Sequence, residues 1–239
     1  MAGWCPCMVI ITYVKVIRHD PVFWFLLVGN LMRVLLLLVG LLGLFRYRTL
    51  PPELRWLVGL IWFGLVLELA SHVLASLYHS NLWLIPIDAA GELWLLSMVF
   101  AWALHSPVFT RVKPWLVAAF VLYAGLSSGL TFELSREAAR FKPAVQVIES
   151  LLVLGMAGLY FRKVLNELQV VSLARDPMFW VSVGLVIYSL SKLLIALFSN
   201  YVLEHYSRQL SLTVWTVNGL LTIVLYLCYC RALWLRPQK

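Results

Sequence analysis

MFWVSVGLVIYSLSKLLIALFSNY, residues 178–201, carries one charge, Lys192, in an otherwise apolar and small-polar run. A helix needs about 20 mainly apolar residues to cross the roughly 30 Å hydrocarbon core of a bilayer. It is also one of the two structures that pair every backbone polar group while doing so. The stretch therefore reads as a transmembrane helix. Five similar stretches precede it, at about 22–45, 55–78, 82–105, 115–132 and 143–164, and one follows, at 208–232. The predicted fold class is all-α: a seven-transmembrane-helix bundle. The chain is 62% hydrophobic and 13% charged, where a soluble domain averages about 25% charged.

Prolines punctuate the segments. Asp20-Pro21 opens the first, Leu50-Pro51-Pro52-Glu53 separates the first two, and Lys113-Pro114 opens the fourth. Lys142-Pro143 and Asp176-Pro177 open the fifth and sixth, because proline fits the first turn of a helix and not its interior. The expected organisation is an N-terminal extracytoplasmic or interfacial segment (1–21), one transmembrane domain (22–232) and a short cytoplasmic tail (233–239), with no attached globular module.

The excess of basic residues, 19 against 11 acidic, is explained by membrane orientation without invoking nucleic acid. Arg46, Arg48, Arg55, Arg111, Lys113, Arg162, Lys163, Arg175, Arg231, Arg236 and Lys239 fall on the side of the C-terminus; Lys15, Arg18, Arg136, Arg140, Lys142 and Arg208 fall on the other. The positive-inside rule then places the N-terminus outside and the C-terminus in the cytoplasm. The expected location is the plasma (inner) membrane, as a multi-pass protein. On this topology the cysteine pairs Cys5/Cys7 and Cys228/Cys230 lie on opposite sides and cannot share one metal.

Ionisable groups inside spanning helices cost about 2.5–3.5 kcal/mol each on insertion scales, so their presence asks for a reason. The chain has Arg33 on the first helix, Glu68 and His72 on the second, and Asp88 and Glu92 on the third. Gln146 and Glu149 lie on the fifth, Lys192 on the sixth and Asn218 on the seventh. The pairs 68/72, 88/92 and 146/149 are three or four apart, and each shares a helical face. In the orientation above, these groups fall in the outer half of the bundle or near its midplane, with apolar residues on the inner side. That pattern predicts a polar pocket open to the outside. Four carboxylates face two fixed cations there. Two ion pairs leave two acids to be protonated, solvated or matched by a cationic group on a ligand. The alternative is that the same groups only hold helices together. Gly125-Leu126-Ser127-Ser128-Gly129 is a G-x-x-x-G pattern expected to mark a close-packed seam with another helix or protomer.

Several chemistries lack their residues. Zinc hydrolysis needs about three ligands, usually including histidines, and only His72 is well inside a helix. No metalloprotease motif, nucleophile elbow or phosphate-binding glycine loop occurs. Lys192 is on the sixth predicted helix, not the seventh where rhodopsins attach retinal. No catalytic residue, metal or cofactor is expected.

Asp176-Pro177-Met178-Phe179-Trp180 leading to Tyr188 and Ser189, preceded by Ile148-Glu149-Ser150, resembles a group of uncharacterised bacterial seven-helix proteins. More loosely, it is similar to the seven-helix sensory modules that precede histidine kinases. The resemblance implies sensing through a separate membrane or cytoplasmic protein partner. The residues and the resemblance together point to a receptor or sensor-like protein. A small-solute or proton-coupled transporter and an accessory subunit of a larger membrane complex are the alternatives, with oligomerisation open to each.

Overall fold

In the computed structural model, residues 21–78, 84–134, 144–167, 173–205 and 208–235 are described. Seven helices run through them: α1 (Pro21–Arg46), α2 (Pro52–Tyr78), α3 (Leu84–Leu104), α4 (Pro107–Leu134), α5 (Ala144–Glu167), α6 (Pro177–His205) and α7 (Arg208–Trp234). All seven are long and apolar enough to cross a membrane. No strand occurs among the described residues. The chain is a multi-pass, seven-helix membrane protein.

Six helices close into a ring. α1 packs on α2, α2 on α3, α3 on α5, α5 on α6, α6 on α7, and α7 returns to α1. The fourth helix stands outside that ring, packed mainly on α3. Large apolar side chains cover its surface, including Trp115 (78% exposed) and Leu122 (66% exposed). Such side chains need no protein partner when the solvent is lipid.

The start of α4 corrects the sequence expectation. Pro114 does not open this helix but lies within it, and the helix begins at Pro107. Ser106 supplies the N-terminal cap: its Oγ accepts from the Phe109 backbone N–H at 3.5 Å, and its carbonyl accepts from Thr110 N–H at 3.1 Å. Ser106-Pro107 is the cap-plus-proline signature; Pro114 repeats the proline without the cap. At the head of α6 the same logic works as expected, with Asp176 Oδ1 accepting from Met178 N–H at 2.9 Å while Asp176 Oδ2 accepts from the Tyr160 hydroxyl of α5.

Close approach between ring helices occurs at single glycines. A Cβ on Gly184 of α6 would lie 2.8 Å from Cys228 Cβ of α7, and one on Gly43 of α1 would lie 2.7 Å from Val58 Cγ2 of α2. Without a hydrophobic force between helices in lipid, this backbone proximity and the dispersion contacts it permits supply much of the association energy. At Gly125, where the G-x-x-x-G pattern begins, no other helix of this chain approaches: a Cβ there would meet nothing within 4 Å among the described residues.

Cations secure the end of the bundle that holds the C-termini of α1, α3, α5 and α7. Arg46 donates to the carbonyls of Leu233 (2.7 Å) and Trp234 (2.6 Å) at the end of α7, and Lys163 donates to Ala103 O (3.0 Å) at the end of α3. These last-turn carbonyls have no intrahelical partner and carry the negative end of the helix dipole. We expect Arg46→Met to cost about 1 kcal/mol and to speed amide exchange several-fold in the last turn of α7, with the middle of α7 unchanged. Uniform acceleration along α7 would contradict a capping role. The interior of this half of the bundle is mainly apolar: Leu54, Leu57, Leu96, Phe100, Leu185 and Leu233 are fully buried, with Ser97 and Ser182 buried among them.

Candidate functional site

The other half of the bundle contains the ion pairs between side chains. Lys192, midway along α6, places its ammonium 3.0 Å from Glu92 of α3 and 2.9 Å from Glu149 of α5. One cation thus joins three helices. The Glu149 side chain is 1% exposed and those of Lys192 and Glu92 13% and 14%. The Lys192 ammonium also sits 5.5 Å from the centroid of the Tyr188 ring, one turn earlier on the same helix.

A second ion pair joins α1 to α2. Arg33 Nε donates to Glu68 Oε1 at 3.0 Å, and Arg33 is steadied by a 3.2 Å bond from its Nη1 to Asn30 Oδ1. Both partners are nearly half exposed. A third polar link joins α6 to α7, where Ser191 Oγ donates to Asn218 Oδ1 at 3.0 Å.

Between these links lies a cavity of about 340 Å³, walled by α1, α2, α3, α6 and α7. Glu68, Asp88 and Glu92 line it, with Ser71, Asn218, Thr222 and three tyrosines, Tyr188, Tyr226 and Tyr229. Met32, Leu36, Ile61, Phe63 and Leu225 form the apolar part of the wall. Glu68 and Glu92 are engaged by Arg33 and Lys192 from behind the wall. Asp88, one turn before Glu92, has no hydrogen bond or ion pair among the described residues.

Seven of the nine residues expected at the site thus fall into one connected region. Arg33, Glu68, Asp88, Glu92 and Asn218 surround or line the cavity, and Lys192 with Glu149 forms the pin beside it. Gln146 is half-buried one turn before Glu149 and does not line the cavity. The side chain of His72 lies outside the described residues, as does that of Ser128, and so do Cys5 and Cys7 entirely. Cys228 and Cys230 are free thiols, with Cys228 packed at the Gly184 seam.

Charge counting anticipated two one-to-one ion pairs; instead Lys192 serves two carboxylates and Asp88 is left to the cavity. Among the described residues α4 stands outside the ring and adds no side chain to the wall. The tyrosines were missed, since aromatic residues in apolar runs read as packing. A signal for them exists. Asn218, Thr222, Tyr226 and Tyr229 follow at intervals of four, four and three, which places them on one face of α7.

Among the described residues no group of three histidine, cysteine, aspartate or glutamate side chains is arranged to hold a metal. No family model, curated protein or solved structure matches the chain.

Proposed function

We propose that this protein is a membrane receptor or sensor whose cavity recognises a small ligand from the outer side and passes the change to a separate protein partner. The observation that carries this is the asymmetry of the bundle. Carboxylates, tyrosines and ion pairs from α1, α2, α3, α5, α6 and α7 gather in and around one cavity. Beyond it the interior is filled by Leu54, Leu57, Leu96 and Phe100, each fully buried. A carrier needs a polar or openable route past both ends of its site. A one-sided cavity over a packed apolar base favours recognition without translocation. The ion pairs span α1–α2 and α3–α5–α6, so a ligand touching Glu68 or Glu92 can bias how those helices sit against one another. Within this proposal the N-terminus is outside, the membrane is the bacterial inner membrane, and the partner docks at the cytoplasmic end.

Flux separates the reading from its main competitor. Reconstituted in sealed vesicles with an entrapped pH indicator, the protein should add no proton movement to that of protein-free vesicles under an imposed pH gradient. It should likewise accumulate no solute that it binds. Protein-dependent flux that disappears in Glu92→Gln makes the chain a carrier instead.

A further inference from the structure

We infer that the cavity takes a small organic cation, an amine or quaternary ammonium group. This inference rests on the cavity being a ligand site, as proposed above, and adds the chemical class. Three features of the wall support it.

First, the wall is already built for an ammonium group. The protein's own Lys192 lies between carboxylates at 2.9 and 3.0 Å and 5.5 Å from the Tyr188 centroid. Carboxylates for charge and aromatic faces for the polarisable shell are the two elements that recognise alkylammonium groups. On the cavity side the same two elements recur, with Asp88 as carboxylate and Tyr226 and Tyr229 as aromatic rings, and no protein cation fills them among the described residues.

Second, Tyr229 is only 3% exposed, lines the cavity, and its hydroxyl makes no hydrogen bond among the described residues. That leaves a hydroxyl on the cavity wall able to hydrogen-bond a ligand, an interaction worth about 0.5–1.5 kcal/mol net. A hydroxyl or carbonyl on the ligand, beside its cationic group, fits this position.

Third, size and composition favour an organic ion. About 340 Å³ is at the lower end of the roughly 300–1,000 Å³ typical of ligand pockets and far more than a proton needs. Hard metal ions require about six or more oxygen ligands at 2.0–2.6 Å, whereas no metal-holding group of acidic, histidine or cysteine side chains occurs among the described residues. Phe63, Ile61 and Leu225 suit the methyl or methylene groups of an alkylammonium.

The test uses the full chain in detergent, titrated with choline and with its uncharged isostere 3,3-dimethylbutan-1-ol, read by thermal shift and tyrosine fluorescence. Choline should stabilise saturably, with the isostere at least about tenfold weaker. Asp88→Asn should weaken choline at least about tenfold, and Tyr229→Phe by about fivefold. Neither substitution removes an ion pair or hydrogen bond seen among the described residues, so both variants should fold, and their unliganded melting temperatures check this. Equal binding of choline and the isostere, or indifference of choline to Asp88→Asn, overturns the cation assignment while leaving a ligand-binding receptor intact. No saturable effect from either compound also overturns it. Protein-dependent flux in the vesicle experiment instead removes the receptor reading and leaves the cation assignment standing.

Discussion

Lys192→Met should destabilise the folded bundle by about 3–5 kcal/mol, the range for breaking a buried ion pair by deleting one partner. The reason is the number of groups that depend on this ammonium. Glu92 and Glu149 come from different helices, and Glu149 is almost fully enclosed. Without Lys192, two carboxylates face each other in a low-dielectric interior with no fixed cation between them. Methionine preserves the length and apolar character of the stem, so the loss is chiefly electrostatic. Glu149→Gln should behave differently: it leaves Lys192 paired one-to-one with Glu92, and glutamine still accepts a hydrogen bond from the ammonium. Its cost should be at most about 1–2 kcal/mol. The ordering can be read from apparent melting temperatures in one detergent. If Glu149→Gln proves as damaging as Lys192→Met, the pin is not organised around the lysine. Adding Glu149→Gln to Lys192→Met should recover part of the loss, because it removes one of the stranded charges.

The second large effect is expected at Gly184→Ala, for a steric reason. The added methyl would lie 2.8 Å from Cys228 Cβ and 3.1 Å from Leu225 Cδ1. Leu225 can turn aside, but a Cβ moves only with its backbone, so α6 and α7 must separate by several tenths of an ångström. Overpacking of this kind costs about 1–3 kcal/mol. The displacement also shifts Tyr188, one turn along α6 from Gly184, relative to Asn218 and Tyr229 on α7, so the cavity should be altered together with stability. Cys228→Ala keeps the clashing Cβ and should not rescue the variant, whereas Cys228→Gly should restore the seam at the helix-propensity cost of glycine, roughly 1 kcal/mol. Rescue by Cys228→Ala would assign the conflict to the sulfur, 3.4 Å away, and count against this packing account.

Much of the fold was legible because the bilayer constrains the chain so strongly. Seven long apolar stretches and the prolines before α1 and α6 were enough to place the helices. The Ser106-Pro107 start was overlooked because Pro114, next to Lys113, matched the expected pattern of a basic loop followed by proline. The ring order was not legible. In a soluble bundle the polar face of each helix reveals which side is outside, but α4 presents leucine, valine and tryptophan to lipid much as α3 presents leucine and phenylalanine to its neighbours. The site was half legible. A charged residue in an apolar run announces itself, so Arg33, Glu68, Asp88, Glu92, Glu149 and Lys192 could be named without coordinates. Which of them meet is a matter of helix rotation and neighbour order, and one-dimensional spacing carries neither between helices. The glycines at the seams were hidden for a related reason, since isolated glycines form no repeat and only the partner's side chain shows why a Cβ is excluded.

The bond from Arg46 to Leu233 and Trp234 spans 187 and 188 residues, and it sets a schedule for assembly. At roughly 5–20 residues per second of synthesis, the first helix waits on the order of 10–40 s for the partner that covers its flank. Until the last helix arrives, the wall of the cavity between them does not exist and several last-turn carbonyls have not yet been made. A nascent chain halted anywhere before that point therefore carries an open-sided bundle, with the α1 flank that α7 covers facing whatever lies beside it in the membrane. Closure of the ring waits for α7, and only a chain synthesised through Trp234 can present a finished cavity to a ligand.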